Sequence, residues 1–161
     1  MNARIENPVM TVPGAMQGLQ QLSKAVRGTG VSETTLALVE LRASQINGCA
    51  ICLDMHSREL EHLGEPAHRI HLVAGWREAP YFSDAERAAL ALTEAATRLA
   101  DRSDPVPDEI WDEAARHYDE QQLAALVLAI AGINAWNRIN ATTRQITGEW
   151  VEQLVAPAKA A

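Results

Sequence analysis

Residues 40–56 read ELRASQINGCAICLDMH, and the rest of the 161-residue chain is organised around holding them. The two cysteines of the chain, Cys49 and Cys52, lie here as C-x-x-C, and His56 follows Cys52 by four positions. On a helix that spacing stacks Cys52 and His56 on one face, with Cys49 a turn earlier, close enough for an imidazole to take a thiol proton. Asn47-Gly48 interrupts the pattern, which predicts a fresh helix whose first turn carries both cysteines at its positive end. A thiol of ordinary pKa, about 8.5, is mostly protonated at neutral pH, and only its thiolate attacks peroxides or disulfides. A helix N-terminus and a histidine both lower that pKa, and a second cysteine traps the oxidised first as a disulfide. The dipole favours Cys49 as nucleophile, and the histidine spacing favours Cys52.

Upstream of this stretch, Ser32 caps a helix over residues 33–45. Its apolar positions, Leu36, Leu38, Val39 and Leu41, wrap widely around the axis and predict burial. Glu40 in that setting needs a partner, either in a proton relay or in an ion pair with Arg42, Arg77 or Arg138. Earlier still, Met16, Leu19, Leu22 and Val26 mark one apolar face of a helix over residues 14–26, and residues 1–13 form an extended arm containing Pro8 and Pro13.

Downstream, the motif helix runs over residues 49–63 with Gly64 past its end, and Pro66 opens a short helix through residue 73. Ser83 and Glu86 form a capping box for a helix over residues 84–102 that presents Leu90, Ala91, Ala95 and Leu99 to the core. A helix over residues 108–117 follows. Asp119 and Gln122 then cap a long helix over residues 120–147, whose stretch 123–133 is apolar on nearly all sides. That stretch is shorter than the roughly 20 apolar residues of a membrane span, so it belongs in a core, with one side covered by a second subunit: a homo-oligomer is expected. The tail from Val155 is expected to fray.

The abundance of Ala, Leu, Glu, Gln and Arg favours helices over strands. A net charge of −7 without a basic patch argues against a nucleic-acid partner. A basic start followed by an apolar run is absent at the N-terminus, so a cytoplasmic location is expected. Two cysteines three apart in a reducing compartment read as catalytic, sensing or metal-binding rather than as a staple. Cys49, Cys52 and His56 offer three zinc-type ligands, but no second C-x-x-C or H-x-x-x-H completes a closed site, so neither metal nor cofactor is expected. His62, His68, His71 and His117 read as surface or satisfied histidines. Ser44 and Asn47 read as hydrogen-bonding residues of the motif turn.

The string Ser44-Gln45-Ile46-Asn47-Gly48-Cys49-Ala50-x-Cys52-x-x-x-His56 resembles the carboxymuconolactone decarboxylase superfamily, specifically its AhpD-like alkylhydroperoxidase branch. Trp76-Arg77-Glu78, Glu86 to Leu90 and Asn134-Ala135-Trp136-Asn137-Arg138 extend the likeness over most of the chain. The resemblance implies one all-α, AhpD-like helical bundle over residues 1–161, assembled as an oligomer. It also implies reduction of a small hydroperoxide, with electrons returned by a lipoyl- or thioredoxin-like dithiol partner; the alternatives are a lactone decarboxylase of the same superfamily, which does not depend on a dithiol, and a non-enzymatic redox-sensing oligomer. In the peroxidase that the resemblance implies, Cys52 is the nucleophile, His56 its proton acceptor and Cys49 the resolving cysteine. Peroxidase members of the branch carry a glutamate twelve positions before the first cysteine, where this chain has Ala37, and a histidine or tyrosine before the second, where it has Ile51. Glu40, three positions on from Ala37, is the candidate replacement for that glutamate.

Overall fold

The structure, a computed structural model, describes residues 2–155. Among these the elements are helical throughout: α1 (Pro8–Thr11), α2 (Ala15–Ala25), α3 (Glu33–Asn47), α4 (Ala50–His62), α5 (Ala67–Leu72), α6 (Asp84–Thr97), α7 (Asp108–Ala115), α8 (Glu120–Thr143) and α9 (Glu152–Val155), with 3-10 turns at Val73–Gly75 and Glu149–Val151. The all-α class is the one the composition predicts.

α3 is the element the others surround. Ser32 Oγ accepts from Thr35 N at 3.0 Å to start it, and every residue from Thr35 to Leu41 is buried. One side of α3, with Leu36 and Val39, shares a core with Ala88 and Leu92 of α6 and Leu126 and Ile130 of α8. Ala37, Leu38 and Leu41 join a second core with Leu60 of α4, Trp76, Phe82 and Leu90. A third, smaller cluster joins Ala43, Cys49, Cys52 and Ile133, with Trp136 packed against it. The cysteines are therefore core residues as well as chemical ones.

Helix starts fall where the caps predict them, and both capping boxes, Ser83 with Glu86 and Asp119 with Gln122, are formed. Helix ends differ. α6 stops at Thr97 rather than reaching residue 102, and Leu99 is 53% exposed instead of facing the core. Arg98 leaves the helix with its backbone N–H still on the carbonyls of Glu94 and Ala95. α8 stops at Thr143, short of residue 147, because Arg144 turns into the left-handed region at φ 54° and caps it. Cys49 is the N-cap of α4, one position before its first turn. The arm is not wholly extended, since residues 8–11 form the turn α1, but residues 4–7 do lie along the end of α8, with Arg4 N donating to Thr143 O at 2.9 Å. The predicted fraying concerns a tail that lies, beyond Val155, outside the described residues.

α8 is long and apolar enough to cross a membrane by length and composition, yet half of its most apolar window is buried. The expectation of burial on nearly all sides is not met within the subunit: Val127 and Leu128 are 40% and 43% exposed.

Glu94 of α6 ties three segments together. Its carboxylate takes Arg42 of α3 at 2.7 Å, Arg77 at 2.7 Å and the Trp76 indole N–H at 3.0 Å. Burial alone would raise its pKa, but these donors outweigh it and hold the carboxyl down at about 2, from an ordinary 4.5. A depressed carboxylate stabilises the fold above its unfolded pKa and loses that contribution as pH falls through the folded one. Glu94→Gln is therefore expected to lower the melting temperature above pH 4.5 and to flatten the acid limb between pH 4.5 and about 2, measured by thermal unfolding across pH.

Candidate active site

The site begins at the break between α3 and α4. Gly48 sits at φ +66°, a backbone region that L side chains rarely adopt, and ends α3. Cys49 N then returns to Ser44 O at 3.2 Å. The reversal brings Cys49 to the start of α4 and Cys52 into its first turn, where free backbone N–H groups favour a thiolate. The two are joined as a disulfide with Cα atoms 5.4 Å apart, and their residues are 1% and 0% exposed.

His56 follows one turn along the face of Cys52, buried at 4% exposure. Its Nδ1 lies 2.9 Å from Glu59 Oε2 and 3.5 Å from Glu40 Oε2. Glu59 in turn receives the Arg27 guanidinium at 2.9 Å, and Arg27 also pairs with Glu33. Glu40 Oε2 and His56 Nε2 are buried without a hydrogen-bond partner among the described residues. Occupation of Nδ1 by carboxylates leaves Nε2 as the ring nitrogen for proton exchange.

The charges of this group interlock. Burial raises the Glu40 carboxyl, against the pull of His56. Burial would depress the His56 imidazole, but the Glu40 charge and the Glu59 hydrogen bond outweigh it and hold the ring above its ordinary value. The Glu59 carboxyl, also penalised by burial, is held low by His56 and Arg27. The arrangement is a buried cluster of coupled acid and base groups one helical turn along α4 from Cys52.

Sequence reasoning places Cys49, Cys52, His56 and Glu40 together, and the structure does bring Glu40 to His56. The arginines offered as its alternatives go elsewhere: Arg42 and Arg77 to Glu94, and Arg138 to Asn134 at 3.1 Å. Glu59 and Arg27 were not foreseen, although Glu59, three positions beyond His56, carries the helical spacing that would reveal it. Three asparagines of α8 were also missed as site residues. Asn47 Nδ2 donates to Asn134 Oδ1 and Asn137 Oδ1, both at 2.9 Å, and Asn140 Nδ2 lies 3.5 Å from Cys52 Sγ. Their recurrence every three residues along an apolar helix was the available signal.

Glu40, His56 and Glu59 each bring one ligating atom within 4.8 Å of the others, a donor set that zinc accepts. Arg27 already neutralises Glu59 there, and the two sulfurs are spent on each other.

A model of the carboxymuconolactone decarboxylase family matches residues 13–95, just over half of the chain. The Bacillus subtilis protein YdfG, itself uncharacterised, is 39% identical over 128 residues, which span 80% of this chain and 86% of YdfG. The chain belongs to the carboxymuconolactone decarboxylase family. Within the family it falls in the AhpD-like branch. It is similar, at TM-score 0.84 and 34% identity over 91% of this chain and 99% of the other, to the crystal structure of an Agrobacterium tumefaciens protein of unknown function, proposed to be the antioxidant defence protein AhpD. The debrominase Bmp8 in complex with 2,3,4-tribromopyrrole shares the fold at TM-score 0.77 and 20% identity, over 90% of this chain and 76% of its own.

A raised imidazole pKa contributes stability below the unfolded value and loses it as pH rises through the folded one. Glu59→Gln and Glu40→Gln are each expected to lower the His56 pKa, observed by NMR titration of the imidazole, and so to move the loss of that contribution to lower pH.

Proposed function

We propose that this chain is a cytoplasmic dithiol peroxidase that reduces small hydroperoxides and is itself reduced by a lipoyl- or thioredoxin-like dithiol. The observation that carries the reading is the Cys49–Cys52 pair at the start of α4 with His56 one turn on, backed by Glu40 and Glu59. In the reduced state His56 takes the Cys52 proton. The Cys52 thiolate attacks the outer peroxide oxygen, an S–O bond forms as the O–O bond breaks, and the departing alkoxide takes the proton from His56 to leave as an alcohol. Cys49 then attacks the Cys52 sulfenic acid. The S–O bond breaks, hydroxide leaves with the Cys49 proton as water, and the disulfide closes. Two electrons and two protons from the partner dithiol restore both thiols.

Burial of both sulfurs favours a second reading, a redox sensor whose disulfide alters assembly rather than turning over. Rapid-mixing kinetics separate the two. Cys52→Ser is expected to abolish hydroperoxide consumption in a protein that still folds. Cys49→Ser is expected to give a single turnover ending in a sulfenic acid on Cys52, detected by mass. Disulfide formation only over many minutes, with a change in assembly size, supports the sensor instead.

The reading includes a homo-oligomer. Leu99, Trp111, Val127 and Leu128 are 53%, 40%, 40% and 43% exposed. Leu99, Trp111 and Val127 line one groove with Ala96, Val106 and Ile130. A contiguous apolar face of this kind is ordinarily covered. Val127→Glu is expected to shift the protein to a smaller species by light scattering without loss of helical signal.

A further inference from the structure

We infer that Asn140 stabilises the Cys52 thiolate through its side-chain amide and that Asn7, on the N-terminal arm, aims that amide. The inference rests on the dithiol reading only in taking Cys52 as a group that ionises; its test needs no peroxide.

Three hydrogen bonds run in series from a backbone N–H to the sulfur. Val9 N donates to Asn7 Oδ1 at 3.2 Å, as part of the N-cap of α1. Asn7 Nδ2 donates to Asn140 Oδ1 at 3.2 Å. Asn140 Nδ2 then points at Cys52 Sγ, 3.5 Å away. The direction of the series follows from its first member. A backbone N–H only donates, so Asn7 must present its oxygen to Val9 and its NH₂ to Asn140, which in turn leaves the Asn140 NH₂ for the sulfur. The amide orientations that are otherwise a matter of choice are fixed here by the chain.

The neighbourhood gives this contact weight. Asn140 is 6% exposed and Cys52 0%, so the amide acts where water does not screen it. A disulfide sulfur is a weak acceptor and a thiolate a strong one, so the same N–H contributes little to the oxidised form and much to the reduced anion. The arm is tied over the end of α8 by further contacts: Arg4 N to Thr143 O at 2.9 Å, Arg4 Nη1 to Thr142 O at 3.0 Å and Gln145 Nε2 to Ile5 O at 3.0 Å. These hold Asn7 beside Asn140. The start of α4 favours a thiolate at either cysteine, whereas the amide contact is to Cys52, which separates the two.

The charged groups around α4 are His56 and Glu59 on α4 itself, Glu40 on α3, and Arg27. The Asp54–Arg58 pair and His62, also on α4, are joined by Glu152 of α9. From α8, Arg138 is turned to Asn134, and the polar group in hydrogen-bond contact with Cys52 is the neutral amide of Asn140. All of these stay constant when variants of Asn140 and Asn7 are compared.

The experiment uses the full chain carrying Cys49→Ser, so that Cys52 is its single thiol. The Cys52 pKa is read from thiolate absorbance and from the pH dependence of alkylation by iodoacetamide. Asn140→Thr and Asn140→Val have nearly the same shape and differ in one hydroxyl donor. Val is expected to raise the Cys52 pKa by about one pH unit, roughly a tenfold loss of thiolate well below the pKa, and Thr to recover much of it. Asn7→Ala, at a half-buried position on the arm, is expected to raise the pKa in the same direction by less. Equal Cys52 pKa values in the Val and Thr variants, or a value unmoved by Asn7→Ala, would overturn the inference. If the Asn140 variants do not fold, Asn7→Ala decides alone. Absent peroxide reactivity with these shifts intact would remove the peroxidase reading and leave the inference standing.

Discussion

One nitrogen holds the turn on which the site depends. Asn47 Nδ2 spends both of its protons on α8, one on Asn134 Oδ1 and one on Asn137 Oδ1. Asn137 returns its own NH₂ to Ser44 Oγ, Ser44 donates to Glu40 O, and Asn134 reaches Thr97 Oγ1 and Ile130 O. A buried amide network contributes only if each member is satisfied, and these side chains satisfy one another. The network binds the last turn of α3 to α8 at the level where the chain must reverse, so Gly48 makes its left-handed turn against a fixed wall. Cys49 and Cys52 inherit their positions from that wall.

Burial of α3 on every side sets the second condition. A helix with no wet face cannot carry Glu40 as an isolated charge, because an unpaired carboxylate in the interior costs several kcal/mol. Burial accordingly raises the Glu40 carboxyl, and the His56 imidazole beside it pulls the other way. Glu59 and Arg27 extend the pairing outward, from the buried carboxyl through an imidazole to a half-buried carboxylate and an exposed guanidinium.

Much of this is written locally in the sequence. The cysteine spacing, His56 at four positions, the Asn47-Gly48 break and both capping boxes are short-range signals, and local geometry suffices to place them. The ends of α6 and α8 are not local in the same way. Leu99 and the residues after Thr143 carry helical periodicity, yet Arg98 and Arg144 leave the helix with their N–H groups satisfied by the preceding turn. Arg27 reaching Glu59, and Asn7 reaching Asn140, join residues 32 and 133 positions apart, and no periodicity within a segment encodes such pairs. Glu40 lies between these cases: its need for a partner is legible from the apolar residues around it, but which partner depends on how α4 docks.

That docking also sets what lies beside position 37. α3 and α4 are joined by a tight reversal and run antiparallel, so a step forward along α3 matches a step back along α4. Glu40 meets His56, while Ala37, one turn earlier, shares its core layer with Leu60, one turn later than His56. Ala37, 0% exposed, belongs to the apolar layer that includes Leu60, Ile70 and Trp76. Glu40, three residues nearer the reversal, lies on the same face of α3 and is level with the histidine. The buried charge and the apolar layer therefore sit one turn apart on the same face of α3, in the order that the antiparallel run of α4 imposes.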